Sequence, residues 1–249
     1  MGQIIENLVS IITPVYNSEK YIGDTIKSVL EQTYPNWEML IADDCSEDNT
    51  KNIVKQFLDP RIKYFKLEKN SGAAIARNKA LEKSKGKYIA FLDADDMWKS
   101  DKLKKQMDFM MRSNIGFSFT GYEILREGEN KIIEVPKTLN YSQYMKNTII
   151  GTLTVMINRE IVGEVRLVNV QRDHDSMTWA KLLREGNIAH GLNENLACYR
   201  KVEGSISNNK FKAARNHWNN CRQIEKLSVL RCSNYFFFYI VNAVKKHYF

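Results

Sequence analysis

The sequence is poor in proline and cysteine, with four of each among its 249 residues. The cysteines lie far apart and form no C-x-x-C pair, which argues against a zinc ribbon and a disulfide scaffold: Cys45, Cys198, Cys221 and Cys232. The chain also lacks a Pro/Gly-rich linker, an internal repeat and a low-complexity stretch. We therefore expect one continuous compact unit with reduced thiols rather than two hinged domains.

Two glycine-rich signatures of nucleotide-binding proteins are missing as well. The sequence contains neither G-x-G-x-x-G nor G-x-x-x-x-G-K-[ST], which disfavours a dinucleotide-dependent dehydrogenase and a P-loop NTPase. No apolar run approaches the roughly 20 residues that span a bilayer, and no basic leader precedes the first apolar run. We therefore expect neither a transmembrane helix nor a signal peptide, and a cytoplasmic protein.

The net charge of +8 is concentrated near the C-terminus. Residues 200–249 contain ten Lys or Arg and two acidic residues, whereas residues 1–199 contain 27 of each sign. A surface that binds an acidic partner is therefore expected in the C-terminal part of the chain. Because no RNP, KH or helix-turn-helix signature accompanies this charge, nucleic acid is not the expected partner.

Short apolar runs alternate with helical patterns through the first half of the chain. Strands are predicted at 8–12, 37–42, 62–67 and 87–92, with helices beginning near residues 21, 49, 73 and 102. Strands that are apolar along nearly their whole length are typical of a parallel sheet covered on both faces. The pattern therefore predicts an α/β core at about 8–112.

The alternation stops after residue 112. Strands are predicted at 116–125, 153–158, 188–190 and 195–199, with a helix at 175–185 and a long basic helix between Phe211 and Leu227. Successive strands without a long helix between them indicate that the second half of the sheet is organised differently from the first.

Acidic residues directly follow two of the predicted strands. Asp43 and Asp44 come after the second strand, and Asp93, Asp95 and Asp96 come after the fourth. Ligands of an open parallel sheet bind outside the carboxyl ends of its strands, so we expect these carboxylates to share one rim. A divalent cation, Mg²⁺ or Mn²⁺, bridging them to a nucleoside diphosphate would relieve their repulsion, as would ribose hydroxyl and base N–H donors. The alternative is two solvated turns, with Asp96 capping a helix.

A glycine turn precedes the helix that contains Arg77 and Asn78. In NSGAAIARNKAL, Gly72 comes just before the helical residues, and the N-terminus of such a helix favours anions. We therefore place Gly72, Arg77 and Asn78 among the residues that bind the nucleotide. The alternative for Arg77 is a surface arginine on the helix.

These motifs together resemble a known family. The segments VSIITPVYNSEKYIGDTIKSVLEQTYPNWEMLIADDCSED and NSGAAIARNKALEKSKGKYIAFLDADDMW are similar to bacterial family 2 glycosyltransferases of the GT-A fold. The likeness is close over 8–112 and looser to about residue 230. It implies a Rossmann-like, mixed, mostly parallel sheet flanked by helices in a GT-A domain at 1–200, with a nucleotide-binding half at 8–112 and an acceptor half at 113–200. A basic helical extension at 201–249 would follow.

The resemblance also implies roles for individual residues. The base and ribose would be bordered by four residues of the first motif and a pair after the second strand: Pro14, Tyr16, Asn17 and Glu19, with Asp44 at a uracil-type imide and Asp43 beside it. Asp93 and Asp95 fit the family's DxD pair, with Asp95 on the metal and Asp96 as an alternative ligand. Arg200 would pair bidentately with phosphate, beside a mobile flap in KVEGSISNNK.

A catalytic base is implied in QRDHDSMTWAKLLREG. Aligning Trp179 with the family's helix puts Asp175 at the base position, and His174 replaces the usual acid before it. Asp173 is the second candidate for the base and His174 the third, and the alternative for Asp175 is simple capping of the helix. Family members that invert use this base to take the acceptor proton in a single displacement.

The function expected from the resemblance is metal-dependent transfer of a sugar from a UDP-linked donor to a glycan or lipid-linked acceptor. A nucleotidyltransferase that makes a sugar nucleotide is the alternative enzyme, although its glycine- and lysine-rich loop is missing. A catalytically inactive binding module is the alternative from another class.

The terminal segment NYFFFYIVNAVKKHYF combines aromatic residues with a lysine pair. We interpret it as an interfacial helix on anionic lipid, at the inner face of the cell membrane, because a lipid-linked acceptor would explain the basic C-terminus. The alternatives are a terminal helix packed on the core and a homodimer contact.

Overall fold

The first half of the chain forms a parallel sheet, as predicted. In the computed structural model, which describes residues 4–125, 130–170, 173–201 and 210–248, the strands β1 (Ile5–Val15), β2 (Trp37–Asp43), β3 (Ile62–Lys66) and β4 (Gly86–Phe91) lie parallel in the order β3-β2-β1-β4. They are joined by α1 (Ile22–Leu30), α2 (Thr50–Val54) and α3 (Ala73–Lys83). Every residue of β2 is buried because the sheet is covered on both faces, which explains its continuous apolar run.

The second half completes a mixed sheet. After β5 (Met97–Trp98) and α4 (Lys102–Arg112) come β6 (Phe117–Leu125), β7 (Lys131–Ile133), β8 (Thr138–Leu139), β9 (Met156–Asn158) and β10 (Ala189–Arg200). Strand β9 runs antiparallel to both β4 and β6, whereas β10 runs parallel to β6. Within the described residues the sheet has ten strands, with the main order β3-β2-β1-β4-β9-β6-β10-β5. The predicted mixed, mostly parallel α/β fold is therefore confirmed.

Two predicted strand boundaries were wrong. The strand predicted at 153–158 is a 3₁₀ turn, Thr152–Thr154, followed by the three residues of β9. The strands predicted at 188–190 and 195–199 are the two ends of β10. Its pairing with β6 shifts register on either side of Asn195, and the polar residues there interrupt the apolar pattern that marks a single strand.

Helices α5 (Tyr141–Lys146), α6 (Arg159–Val162) and α7 (His174–Arg184) accompany the second half of the sheet, and α8 (Lys210–Asn219) and α9 (Val229–Tyr248) follow it. The long helix predicted between Phe211 and Leu227 ends early. Helix α8 passes into a π-helical turn, Asn220–Ile224, and Lys226 then adopts a positive φ of 52°, which a continuing helix does not allow.

Helix α9 has two apolar faces. Its inner face packs on α5 and α8: Tyr235 meets the ring of Tyr141 edge-on at 6.3 Å, and Tyr239 stacks on His217 at 4.1 Å. On the outer face Leu230 is 86% exposed and Phe237 is 62% exposed. Across the described ranges, no helix is long and apolar enough to cross a bilayer. Helix α9 therefore packs on the core and still presents apolar side chains outward.

Candidate active site

A cavity of about 470 Å³ opens at the carboxyl ends of β1, β2 and β4. Its size suits a nucleotide-sized ligand. Seven of the residues predicted to bind the donor or the metal line it: Pro14, Tyr16, Asn17, Asp44, Arg77, Asp93 and Asp95. The topology brings these distant segments together because parallel strands end at the same edge of the sheet.

Asp44 ties the end of β2 to the loop before α3. Its two carboxylate oxygens accept hydrogen bonds from the backbone N–H groups of Ser71 and Gly72, each at 2.7 Å. Gly72 has a φ of +89°, which favours glycine at that turn. The N–H of Gly72 is therefore directed at Asp44, and Gly72 shapes the cavity wall through this bond.

Arg77 is the buried cation of the site. It is 4% exposed, so the alternative of a surface arginine is wrong. Its Nη2 donates to Asp93 in an ion pair, and its Nη1 lies 2.5 Å from Nε2 of His174 on α7. One guanidinium therefore joins the acidic rim to the helix that contains the candidate bases.

The acids after β4 differ in environment. Burial, and then the charge of Asp93, raise the pKa of Asp95 to about 6. Asp96 is 1% exposed and accepts a hydrogen bond from the backbone N–H of Arg200 at 3.0 Å, and burial together with its two acidic neighbours raises its pKa well above the usual range. The carboxylate of Asp96 thus holds the end of β10, which makes it a poor candidate for a metal ligand. Asp95 lines the cavity, where a cation would stabilise its ionised carboxylate.

The chemistry of Asp93 and Asp95 fits a shared cation. Within the part of the chain that the structure describes, no three acidic, histidine or cysteine side chains are grouped closely enough to hold a metal ion by themselves. Mg²⁺ usually needs only one or two carboxylates, because substrate phosphates and water complete its shell. Two carboxylates on the cavity wall, one with a raised pKa, therefore suit an ion that arrives with a diphosphate.

Asp175 lies in the first turn of α7, facing the turn before β9. Its Oδ2 accepts a hydrogen bond from Oγ1 of Thr152 at 2.6 Å, and its Oδ1 accepts one from the backbone N–H of Ser176 at 2.8 Å. Burial opposes ionisation, but Arg77 and His174, followed by these hydrogen bonds, hold the pKa of Asp175 below its usual range. The carboxylate is therefore ionised at neutral pH.

The three candidate bases point in different directions. Asp173 occupies the N-cap position of α7, so the interpretation of Asp175 as the cap is wrong. Asp173 has a left-handed φ of 56° and accepts a hydrogen bond from Nδ2 of Asn220 at 3.2 Å, which turns it toward the C-terminal helices. The imidazole of His174 is engaged by Arg77. Asp175 is hydrogen-bonded to the 152–154 turn through the hydroxyl of Thr152.

Two predicted donor residues lie outside the cavity. Asn78 exchanges two hydrogen bonds with the backbone of Leu167, at 3.0 and 2.8 Å, so its amide holds a loop on the other side of α3. Asn78 is therefore not one of the residues that line the cavity, contrary to the expectation that it binds the nucleotide. Asp43 is fully buried below the rim, where its carboxylate accepts hydrogen bonds from the hydroxyl of Tyr64 and the backbone N–H of Ser46.

Glu19 and Arg200 lie at the edge of the site. Glu19 accepts a hydrogen bond from the backbone N–H of Asn49 at 2.8 Å, which braces the loop after β1. Arg200 pairs with Asp24 at 3.2 Å, and its guanidinium lies 5.0 Å from the ring of Tyr21, which lines the cavity. The predicted flap falls mainly on residues 202–209, which lie outside the described residues.

Sequence reasoning missed the specific contact of Thr152. Nothing in the sequence TLT marks its first threonine as the partner of a carboxylate 23 residues away. No local pattern predicts such a contact, because it depends on how β9 and α7 pack.

Comparison with known proteins decides the family. A family model described as "Glycosyl transferase family 2" matches residues 10–163, more than half of the chain. The chain belongs to glycosyl transferase family 2. The resemblance inferred from the motifs is therefore confirmed, and the protein is a glycosyltransferase.

Two curated relatives match this glycosyltransferase over nearly its whole length. One, from Bacillus subtilis, is named "Putative teichuronic acid biosynthesis glycosyltransferase TuaG" and is 51% identical, covering 96% of this chain and 97% of its own. The other, from Escherichia coli, is the "UDP-Glc:alpha-D-GlcNAc-diphosphoundecaprenol beta-1,3-glucosyltransferase WfgD", 40% identical over 97% of this chain and 96% of its own.

Solved structures confirm the GT-A fold. S. aureus TarS in complex with UDP-GlcNAc superposes with a TM-score of 0.74 at 21% identity, covering 95% of this glycosyltransferase and 72% of that chain. Mannosyltransferase PcManGT from Pyrobaculum calidifontis, in complex with GDP-Man and Mn²⁺, gives 0.68 at 18% identity, covering 95% and 73%. At these identities the likeness concerns the fold alone.

Proposed function

We propose that this glycosyltransferase transfers a sugar from a UDP-linked donor to a lipid-linked glycan acceptor, with a divalent cation and with inversion. One observation carries the proposal: Arg77 joins Asp93, on the rim of the nucleotide-sized cavity, to the helix of Asp175. The elements needed for donor binding and for proton removal are therefore adjacent.

The donor end of the cavity suits a uridine nucleotide. Tyr16 is exposed on the cavity wall, where an aromatic ring can stack on a base. The carboxylate of Asp44 retains acceptor capacity beyond its two backbone bonds, and an imide N–H is a suitable donor for it. The UDP-GlcNAc in the TarS complex and the UDP-Glc in the name of WfgD are consistent with this choice.

Asp93 and Asp95 would hold the cation, and Arg77 keeps Asp93 in place. When bound, a divalent cation acts as a Lewis acid that neutralises the charge developing on the departing diphosphate. Arg200 leaves a partly exposed pair with Asp24 at little cost, since exposed ion pairs contribute about 0–1 kcal/mol, and can then contact phosphate.

Asp175 would act as the general base. It is ionised, and the turn of Thr152 gives its carboxylate a defined orientation. As the acceptor hydroxyl attacks the anomeric carbon, Asp175 takes its proton while the bond to the diphosphate breaks. A single displacement of this kind inverts the configuration at the anomeric carbon.

The acceptor is proposed to be lipid-linked and the protein to be peripheral on the membrane. WfgD is named for a diphosphoundecaprenol acceptor, and it matches this chain over nearly its whole length. The outer face of α9 adds exposed apolar side chains to the basic C-terminal region. Apolar side chains combined with Lys and Arg are typical of helices that lie on anionic lipid.

A screen of sugar nucleotides tests the proposal. The protein is incubated with UDP-, GDP- and dTDP-sugars, with Mn²⁺ or with EDTA, and donor hydrolysis and binding are measured. We expect a cation-dependent response to a UDP-sugar. Conversion of UTP and a sugar 1-phosphate to a sugar nucleotide would instead identify a nucleotidyltransferase. A protein that binds the donor but neither hydrolyses it nor transfers its sugar to diphosphate-linked lipid acceptors would be an inactive binding module.

A further inference from the structure

The turn that faces Asp175 is held from below by two buried side chains. Nε1 of Trp98 donates to the backbone carbonyl of Leu153 at 2.7 Å, and Nε2 of Gln106 donates to that of Thr154 at 3.0 Å. Both donors are buried. A buried carbonyl that loses its donor is destabilising, so these two bonds hold the 3₁₀ turn Thr152–Thr154 in place.

Trp98 is itself held at its backbone and at its ring. Its backbone N–H donates to Oγ of Ser28 at 3.2 Å, and Nζ of Lys102 lies 3.7 Å from the ring centroid. Lys102 is fully buried, which leaves the pair little freedom to move. The support of the turn therefore extends through β5 and α4 into the core.

The hydroxyl of Thr152 connects this firmly held turn to the carboxylate of Asp175. Thr152 is 7% exposed, and its hydroxyl donates to Oδ2 of Asp175 at 2.6 Å, while Oδ1 accepts the N–H of Ser176. Each carboxylate oxygen thus has one fixed donor, on opposite sides of the group. With both donors present, the plane of the carboxylate is set, and its remaining lone pairs have defined directions.

We infer that Thr152 is a positioning residue of the transfer reaction, which orients the carboxylate of Asp175 toward the acceptor hydroxyl. The inference rests on the proposed role of Asp175 as the base. Proton removal requires the base to lie within hydrogen-bond reach of the hydroxyl in the attacking geometry, and small misplacements reduce the rate strongly. Without Thr152, the carboxylate keeps one fixed donor and can rotate about it.

The hydroxyl of Thr152 also stabilises the charged form of Asp175, which gives the inference a second readout. A hydrogen bond to a carboxylate lowers its pKa. The charged and titratable groups that face Asp175 come from three elements: Arg77 on α3, Tyr144 on α5 and His174 on α7. Replacing Thr152 leaves all of them in place, so a change in the pKa of Asp175 reports the loss of the hydroxyl.

The test compares Thr152→Val, which keeps the shape but removes the donor, with Thr152→Ser, which keeps the donor. For Thr152→Val we expect kcat to fall at least ~10-fold, while KM for the sugar nucleotide and Kd for UDP stay within about twofold. The acidic limb of the kcat–pH profile moves to higher pH. Thr152→Ser retains most of kcat and the original limb.

Two controls keep the test decisive. Thr120→Val removes another buried hydroxyl, one that donates to the carbonyl of Gly121, and it leaves kcat near the wild-type value. Thr152→Ala replaces Thr152→Val if the valine variant does not fold. Wild-type kcat and an unmoved pH limb in Thr152→Val would overturn the inference. If Asp175→Asn also keeps wild-type kcat, the proposed base itself is wrong, whereas an inactive Asp175→Asn confines the failure to Thr152.

Discussion

Nη1 of Arg77 on α3 and Nε2 of His174 on α7 lie 2.5 Å apart. Burial, and then the charge of Arg77, lower the pKa of His174, so the imidazole is neutral and its Nε2 accepts the hydrogen bond. Because the same guanidinium pairs with Asp93, the acidic rim and helix α7 share one buried cation.

Removing that cation is expected to destabilise the fold. Arg77→Met leaves Asp93 and Asp175 without their shared counterion, and the free energy of unfolding falls by about 3–5 kcal/mol, as for other broken buried pairs. Adding Asp93→Asn to Arg77→Met restores part of this loss, because one uncompensated carboxylate is gone. Urea unfolding of the two single variants and the double variant measures the coupling, and strictly additive effects would show that the pair does not interact.

The position of the base is tested by two aspartate variants. Asp175→Asn is expected to lower kcat by a factor of ~10² or more while Kd for UDP is unchanged, because only proton removal is lost. Asp173→Asn keeps an acceptor oxygen for Asn220 and is expected to stay near the wild-type kcat. If Asp173→Asn is the inactive variant instead, the base lies two residues earlier on the chain than proposed.

The raised pKa of Asp95 predicts how the free energy of unfolding depends on pH. Its pKa in the folded protein is raised to about 6, so the stability that its protonated form contributes is present below about pH 4 and is lost as the pH rises through 6. Asp95→Asn removes this loss. Without cation or donor, the variant should be more stable than the wild type by about 3 kcal/mol at pH 7, with little difference at pH 4.

Urea unfolding between pH 4 and pH 7.5 in EDTA measures this difference. Glu68→Gln, the same change of charge at an exposed site, serves as the matched control and should leave stability nearly constant. An Asp95→Asn variant no more stable than the wild type at pH 7 would show that the carboxylate is already compensated by the protein.

His217 predicts acid sensitivity of the contact between α8 and α9. Burial lowers its pKa to about 4, and the ring stacks on Tyr239. The stability that its neutral form contributes is therefore full above about pH 6.5 and is lost as the pH falls toward 4, by about 3 kcal/mol in total. His217→Phe keeps a ring for the stack but cannot be protonated, so its stability should depend less on pH over this window.

The matched control for that measurement is His190→Gln, on β10, which should retain the pH dependence of the wild type. The slope of unfolding free energy against pH is compared among the three proteins. Equal slopes for the wild type and His217→Phe would exclude His217 as the group that titrates.

The outer face of α9 predicts binding to lipid. The double variant Leu230→Ser/Phe237→Ser should reduce binding to phosphatidylglycerol vesicles at least ~10-fold, because it removes apolar area while leaving the packed inner face intact. These substitutions are more specific than deletion of residues 233–249, which would also remove Tyr235 and uncover its partner Tyr141. Vesicle sedimentation measures the effect.

Leu58→Ser, which changes an apolar side chain that is almost fully exposed elsewhere, is the control for the α9 variant and should bind as the wild type does. Raising the salt concentration should weaken wild-type binding, since part of it is electrostatic. Unchanged sedimentation of the double variant would indicate that the outer face of α9 does not contact lipid, and a change in its oligomeric state would point to a homodimer contact.

Topology explains why the rim could be predicted from the sequence. The apolar runs identify β1, β2 and β4, and the rule that ligands bind at the carboxyl ends of parallel strands places Asp44, Asp93 and Asp95 together without knowledge of any side-chain contact. The side-chain contacts themselves are harder to predict from the sequence. Adjacent helical residues point about 100° apart, so Arg77 and Asn78 could not both face the cavity, and only packing decides which one does.

The contacts around Asp175 are equally hard to predict from the sequence. Asp173 and Asp175 are two positions apart at the start of a helix, and a left-handed φ at the first turns it away from the second. Thr152 lies in a turn of three residues, too short for any periodic pattern to reveal. These positions depend on how β9, α7 and the C-terminal helices pack, which involves contacts between residues far apart in the sequence.

We propose that Asp93 and Asp95 hold a cation that binds together with a donor diphosphate. Titration of UDP into the wild type and into Asp95→Asn, each with Mn²⁺ and with EDTA, tests it most directly. Mn²⁺ is expected to strengthen binding of UDP to the wild type at least ~10-fold and to have little effect on Asp95→Asn. Equal affinity of the wild type for UDP in Mn²⁺ and in EDTA would contradict it.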